Sequence, residues 1–193
     1  MALGVRTDLF ATYKETLSTS LSEAQDLLTT TTTDALGNPV DSQSGAPVVL
    51  IPPFLGLSDT LFRARIGTVS LRYSWPRDVF TLSGTWQKQT PVTSASTAEP
   101  AISSHGTYAT LSWRHEFSPR TTGVATVQYG RVSSAQFGRG DGNVYTAAAT
   151  LAHELSDKLT ASLQFAWTRD TARTTASETK QQFVFRAGVR RTF

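Results

Sequence analysis

The stretch Leu159-Thr160-Ala161-Ser162-Leu163-Gln164-Phe165-Ala166-Trp167-Thr168 decides the fold. Leu159, Ala161, Leu163, Phe165 and Trp167 alternate with Thr160, Ser162, Gln164, Ala166 and Thr168. A period of two places the sets on opposite faces of a β-strand, whereas a helix would scatter both sets around its axis. One face is apolar and the other is small and mostly polar.

The same design repeats outward from that stretch. In Gln182 to Phe193, one face carries Phe183, Phe185, Ala187, Val189 and Phe193. The other carries Gln182, Arg186, Gly188, Arg190 and Thr192, with Val184 as an apolar intruder. Toward the N-terminus, Tyr145, Ala147, Ala149, Leu151 and Leu155 alternate with Thr146, Ala148, Thr150, Ala152 and Glu154. Ala125, Val127 and Tyr129 repeat the pattern, as do Ala109, Leu111, Trp113 and Phe117. Phe80, Leu82 and Trp86 do so too, followed by Val69, Leu71, Tyr73 and Trp75. A weaker eighth segment has Val5, Leu9, Ala11 and Tyr13 in phase, with Phe10 breaking it.

The connections alternate in length. Trp75-Pro76-Arg77-Asp78, Phe117-Ser118-Pro119-Arg120 and Leu155-Ser156-Asp157-Lys158 are tight and rich in turn formers. The others are long and polar, at about residues 18–60, 90–104, 132–142 and 169–180. The repeating unit is a hairpin of roughly 40 residues without a literal repeated motif.

Composition excludes several classes. The chain has no cysteine, which removes disulfides, thiolate nucleophiles and Cys-ligated metals. A net charge of +3, from 18 basic and 15 acidic residues without a basic run, gives no footprint for nucleic acid. No run of about 18 apolar residues offers a transmembrane helix. The start, Met1-Ala2-Leu3-Gly4-Val5-Arg6, lacks the apolar core of a signal peptide. Either a leader has been removed or the chain continues a longer one.

These observations predict an all-β fold: an antiparallel up-and-down transmembrane β-barrel of about 8 strands, with short periplasmic turns and long extracellular loops. In hydrocarbon every backbone N–H and C=O must be paired, and a closed antiparallel sheet does this without edges. The apolar face meets lipid and the polar face lines the lumen. Residues 1–193 form one outer-membrane barrel domain with a loop insertion at about 18–60, either complete or the C-terminal part of a longer barrel. Aromatic residues mark both ends of the apolar faces, as expected for rings at the headgroups: Tyr73, Trp75, Phe80, Trp113, Phe117 and Phe193 near the turns, and Trp86, Tyr129, Tyr145, Trp167 and Phe183 near the loops. A soluble antiparallel barrel, such as a lipocalin-like cup, would share the strand count and hairpins. It would expose Arg114, Arg186 and Arg190 to water and leave the terminal Phe193 unexplained.

The ending on Phe193 resembles the C-terminal signal by which bacterial outer-membrane barrels are recognised for assembly; Arg191 departs from the usual apolar residue there. Two further segments carry a family resemblance: Pro52-Pro53-Phe54-Leu55-Gly56-Leu57-Ser58-Asp59-Thr60-Leu61-Phe62-Arg63-Ala64-Arg65 and Asp78-Val79-Phe80-Thr81-Leu82-Ser83-Gly84-Thr85-Trp86. With the Phe-terminated last strand, the chain resembles outer-membrane barrel proteins associated with the PEP-CTERM/exosortase system of Gram-negative bacteria. The resemblance implies an outer-membrane location near exopolysaccharide production or export. Its implied partners are outer-membrane lipid, the barrel assembly machinery and exopolysaccharide.

The candidate site is a lumen-facing charged cluster of Arg72, Arg114, Glu116, Glu154, Arg186 and Arg190, which Asp8 and Lys14 extend by phase. One expectation is a paired polar plug that stiffens the wall. Another is a selectivity set for an anionic solute, which needs more than eight strands, since eight leave no wide channel. His115 and His153 fall near tight turns, where an interfacial place is expected. His105 beside Ser103 and Ser104 suggests an outer-membrane enzyme acting on lipid as a further alternative, without an acid placed nearby. No catalytic residue, metal ligand or cofactor is assigned, and the chain is read as a non-enzyme. Arg139-Gly140-Asp141 is read as a chance tripeptide in a glycine-rich loop. In the first long loop, Leu21 to Leu28 is expected to form a short helix capped by Ser20 or Ser22. Thr29 to Thr33 is expected to be flexible. The apolar Ala46 to Leu57 is expected to pack over the barrel mouth or a strand edge, or to meet a partner.

Overall fold

The computed structural model describes residues 6–34, 36, 38–42, 61–92, 103–134, 141–172 and 179–191. Eight long strands form one antiparallel sheet: β1 (Arg6–Ser18), β4 (Phe62–Ser74), β5 (Asp78–Pro91), β6 (Ser104–Ser118), β7 (Thr121–Ser134), β8 (Gly142–Ser156), β9 (Leu159–Ala172) and β10 (Thr179–Arg191). Their spatial order is β1-β4-β5-β6-β7-β8-β9-β10. Between β1 and β4 the chain makes helix α1 (Ser20–Thr30) and a small hairpin of β2 (Thr31–Thr33) and β3 (Pro39–Asp41).

The alternating segments pair in phase, so apolar residues line up across the whole sheet. One row runs Leu9, Leu71, Leu82, Leu111, Val127, Ala147, Trp167 and Phe183 through seven successive registers. The adjacent polar row runs Phe10, Ser70, Ser83, Thr110, Gln128, Thr146, Thr168 and Gln182, with Phe10 as the predicted break in phase. Burial is inverted relative to a soluble sheet. Leu82 is 52% exposed while its neighbour Ser83 is 7% exposed, and Leu111 is 44% exposed against 8% for Ser112. The polar face is therefore the sheltered, concave one, and the apolar face looks out.

The tight turns sit at one end. At β4–β5, the Trp75 N–H donates to the Asp78 carbonyl at 2.7 Å. At β6–β7, the Ser118 hydroxyl donates to Thr121 Oγ1 at 2.9 Å. Bulges beside the last two turns, at Glu116/Ser118 and Glu154/Ser156, let the strands twist into these connections. The strand ends that lead into the long connections lie at the other end of the sheet.

Three expectations need correction. The sheet is not closed: β1 pairs with β4 and β10 with β9, but β1 and β10 remain the two edges. The strands do reach the loop bounds expected from the sequence to within a few residues, with Arg63, Arg65, Lys88, His105 and Arg131 in outward positions at their loop ends. Backbone pairing continues past the point where the apolar signal fades. Finally, Thr29 to Thr33 is ordered, with Thr29 and Thr30 closing α1 and Thr31–Thr33 forming β2. The helix cap is Thr19 rather than Ser20 or Ser22. Its side chain accepts from the Ser22 N–H at 3.4 Å while Ser22 Oγ accepts from the Thr19 N–H at 2.9 Å, a reciprocal capping pair. Phe193, Ala46 to Leu57 and the Gly138-Arg139-Gly140 segment lie outside the described residues.

Candidate functional site

The concave face is a hydroxyl-rich floor. Ser70, Thr81, Ser83, Thr110, Ser112 and Thr150 are buried on it. Small hydroxyl side chains suit this position because they pack closely and bond across strands. The Thr126 hydroxyl donates to Ser112 Oγ at 3.3 Å, the Thr68 and Thr85 hydroxyls meet at 3.4 Å, and Ser104 donates to Gln89 Oε1 at 3.0 Å.

Over this floor lies the insertion of α1, β2 and β3. Asp34 organises its tip by accepting from the backbone N–H of Leu36 at 2.9 Å and of Asn38 at 2.8 Å, and from Asn38 Nδ2 at 3.0 Å. Carboxylates favour this local turn because two oxygens can serve several donors at once. The tip then meets β8, where the Thr150 hydroxyl donates to Asn38 Oδ1 at 2.8 Å. On the opposite flank Lys14, on the concave face of β1, forms an ion pair with Asp26 of α1. The insertion thus spans the concavity from β1 to β8.

All six residues of the predicted lumen cluster occupy concave-face positions in the turn-side half, but they do not form one cluster. Arg72 stands opposite Asp8 and Thr81 in register, and Arg114 pairs with Glu116 at 3.9 Å. Glu154 and Arg190 flank Thr160 from opposite sides of β9, and Arg186 stands opposite Gln164. The six are spread over β4, β6, β8 and β10, with β5, β7 and β9 between successive members. Arg72, Glu116, Glu154, Arg186 and Arg190 are exposed.

Register also produces contacts that the sequence reading missed. At the turn end, Asp78 opens β5 opposite His115 and its Oδ1 lies 2.7 Å from His115 Nδ1. The same oxygen accepts from Trp113 Nε1 at 2.8 Å. His153 Nδ1 meets Thr121 Oγ1 at 2.9 Å. Both histidines are thus tied to neighbours on the outward face beside the turns.

At the loop end, Glu15 bridges Arg63 at 3.5 Å and Arg65 at 3.3 Å. His105 stands opposite Ser133, which bonds Asp141, so an acid does lie in that neighbourhood. The Ser133 hydroxyl and the Arg131 guanidinium, 3.6 Å away, hold the Asp141 carboxyl below its ordinary value of 3.8 against an opposing desolvation. His105 adds a weaker favourable charge interaction with Asp141 at this rim.

Among the described residues no group of three or more His, Asp or Glu side chains is set to hold a metal ion. The outward face carries a shallow groove of about 300 Å³, with Gly123, Ala125 and Ala149 as its floor and Phe117, Leu163 and Phe165 among its walls. No protein family, curated protein or solved structure matches the chain.

Proposed function

We propose that the chain forms wall and plug of an outer-membrane β-barrel, with a structural or assembly role in the cell envelope. The carrying observation is the outward face. On β9, the alternating apolar band runs from Leu159 to Trp167, about the 9–11 residues with which a tilted strand crosses a bilayer. Aromatic residues bound the band. Tyr129 and Tyr145 pack with ring centroids 5.2 Å apart on the loop side, and Phe80 stacks on Trp113 at 6.3 Å on the turn side. Beyond the loop-side aromatics the same outward face turns charged, with Glu15, Arg65, Lys88 and Arg131.

Water gives no reason for a sheet to bury serine and threonine while exposing leucine, phenylalanine and tryptophan. A hydrocarbon surround does. In this reading the short turns face the periplasm, the long connections face outward, and acyl chains fill the small-residue groove. The outer-membrane location, and a link to exopolysaccharide production or export, are supported on the sequence side by the terminal-strand pattern and the family resemblance.

A second reading is a channel for an anionic solute, favoured by the exposed Arg72, Arg186 and Arg190 on the concave face. Two measurements test these readings. Protein refolded into phospholipid vesicles is expected to float with the vesicles and to migrate differently on gels before and after boiling. A protein that stays soluble and monomeric without lipid or detergent rules the membrane reading out. In planar bilayers, the plugged wall is expected to conduct little, and steady anion-selective conductance favours the channel.

A further inference from the structure

The outer strands β1 and β10 each lack a neighbour on one side among the described residues. Both are 13 residues long. Natural edges are blunted by prolines, bulges, short length or charged side chains, and of these devices the two strands carry only charges, such as Lys14 and Lys180. Neither strand contains a proline, and their registers with β4 and β9 run without a bulge. In hydrocarbon such a row of unpaired N–H and C=O groups is prohibitive, so both edges need partners.

The simplest partner for β1 is β10 of the same chain, but the insertion stands in the way. An eight-stranded barrel has an interior just wide enough for its own side chains. A helix with its side chains is about 10–12 Å across. Asn38 meets Thr150 about 26 Å along β8 from Gly142, by a rise of ~3.3 Å per residue, so the insertion reaches deep into the concavity and does not merely perch on its rim. The Lys14–Asp26 pair holds its other side against β1. A sheet that holds this insertion is curved too gently for its edges to meet.

Resting on the outer-membrane reading above, we propose that β10 of one copy pairs with β1 of a second copy, at both junctions, so that two copies enclose their insertions in one wall. The edges are complementary. β1 runs from the turn end to the loop end and β10 runs back, so the junction continues the antiparallel meander. Odd-numbered residues face outward on both strands: Leu9, Ala11 and Tyr13 on β1, and Phe183, Phe185 and Val189 on β10. The apolar band therefore crosses the junction without a change of face. On the concave side, Asp8, which pairs with Arg6 at 3.0 Å, lies in the same turn-side half as the incoming Arg186 and Arg190. Two such sheets of eight strands make a wall of sixteen, the size of a porin, with room for the insertions.

The chain has no cysteine, so an introduced pair reports without background. Ala11→Cys with Ala187→Cys, in protein refolded into phospholipid vesicles, is expected to oxidise to a species of twice the chain mass. Light scattering of the unsubstituted protein in detergent is expected to give a dimer. Leu71→Cys with Leu82→Cys, register partners on β4 and β5, should form a bond within one chain and so verify the native sheet. A bond between positions 11 and 187 within one chain overturns the proposal in favour of self-closure. A monomer by light scattering overturns it whatever the cross-link shows. Failure to enter vesicles refutes the membrane reading itself, whereas a vesicle-inserted monomer refutes only the pairing of two copies.

Discussion

The ring of Tyr108 lies flat against Gly130, its register partner on β7. A Cβ placed on Gly130 would stand 2.5 Å from Cδ1 and 2.7 Å from Cε1 of that ring. The glycine leaves room for a large aromatic side chain on the half-buried concave face. Gly130→Ala should therefore overpack the site and cost about 1–3 kcal/mol. Gly84→Ala, where the nearest atom would be 4.0 Å away, should cost much less. Urea midpoints of the two variants in detergent check this; equal midpoints would remove the packing account.

The Tyr108 hydroxyl is buried without a hydrogen-bond partner. Tyr108→Phe keeps the ring over Gly130 and deletes the unsatisfied group. Stability should hold or rise by up to about 1 kcal/mol, since an unpaired buried polar group is a cost rather than a contribution. A loss of more than that in the same unfolding assay would mean that the hydroxyl has a working partner.

The outward face distinguishes lipid from water most directly at Leu111, in the middle of the apolar row. Leu111→Arg should cost about 2–4 kcal/mol for a barrel folded in a bilayer, and much less at the loop-side rim, as for Thr107→Arg. Folding equilibria in phospholipid vesicles measure the difference. Depth independence would argue for a water-exposed surface.

Asp34 fixes the tip that docks on β8. Asp34→Ala removes the acceptor for three donors and should loosen the insertion by about 1–3 kcal/mol without unfolding the sheet. Limited proteolysis should then cut faster within residues 19–42, while the protein keeps its gel shift on boiling. Unchanged proteolysis would show that the tip is held by other contacts.

Asp141 gives a pH dependence of known sign. Its folded-state pKa is depressed below 3.8, chiefly by the Ser133 hydroxyl and then by Arg131. The contribution to stability is present above the ordinary carboxylate value and disappears as pH falls through the depressed one. The advantage of the native protein over Asp141→Asn should be constant near neutral pH and vanish in strong acid. An advantage that grows on acidification would reverse the assigned cause.

Much of the wall was legible in the sequence because period-two alternation survives without knowledge of pairing. Leu159 to Trp167 identifies its strand alone. The tight turns at Pro76 and Pro119 then impose antiparallel neighbours, and the chain order becomes the spatial order. Closure was not legible, because it depends on curvature and on what occupies the concave side. That occupant is built from Asp34, Asn38 and Asp26, whose partners are set by folding of the insertion rather than by a repeating pattern. Parity assigns the candidate charges to the face that carries the buried hydroxyls. Their spacing on alternate strands required the strand order, and the Asp78–His115 contact, whose residues lie 37 apart in sequence, required register.

The insertion touches the sheet at Lys14 on β1 and at Thr150 on β8, two anchor points separated by four intervening strands. It works as a strut across an arch. The distance between its anchors limits the radius to which the sheet can bend, so changing the length of α1 or of the β2–β3 hairpin would alter the curvature of the sheet without touching a residue of its strands.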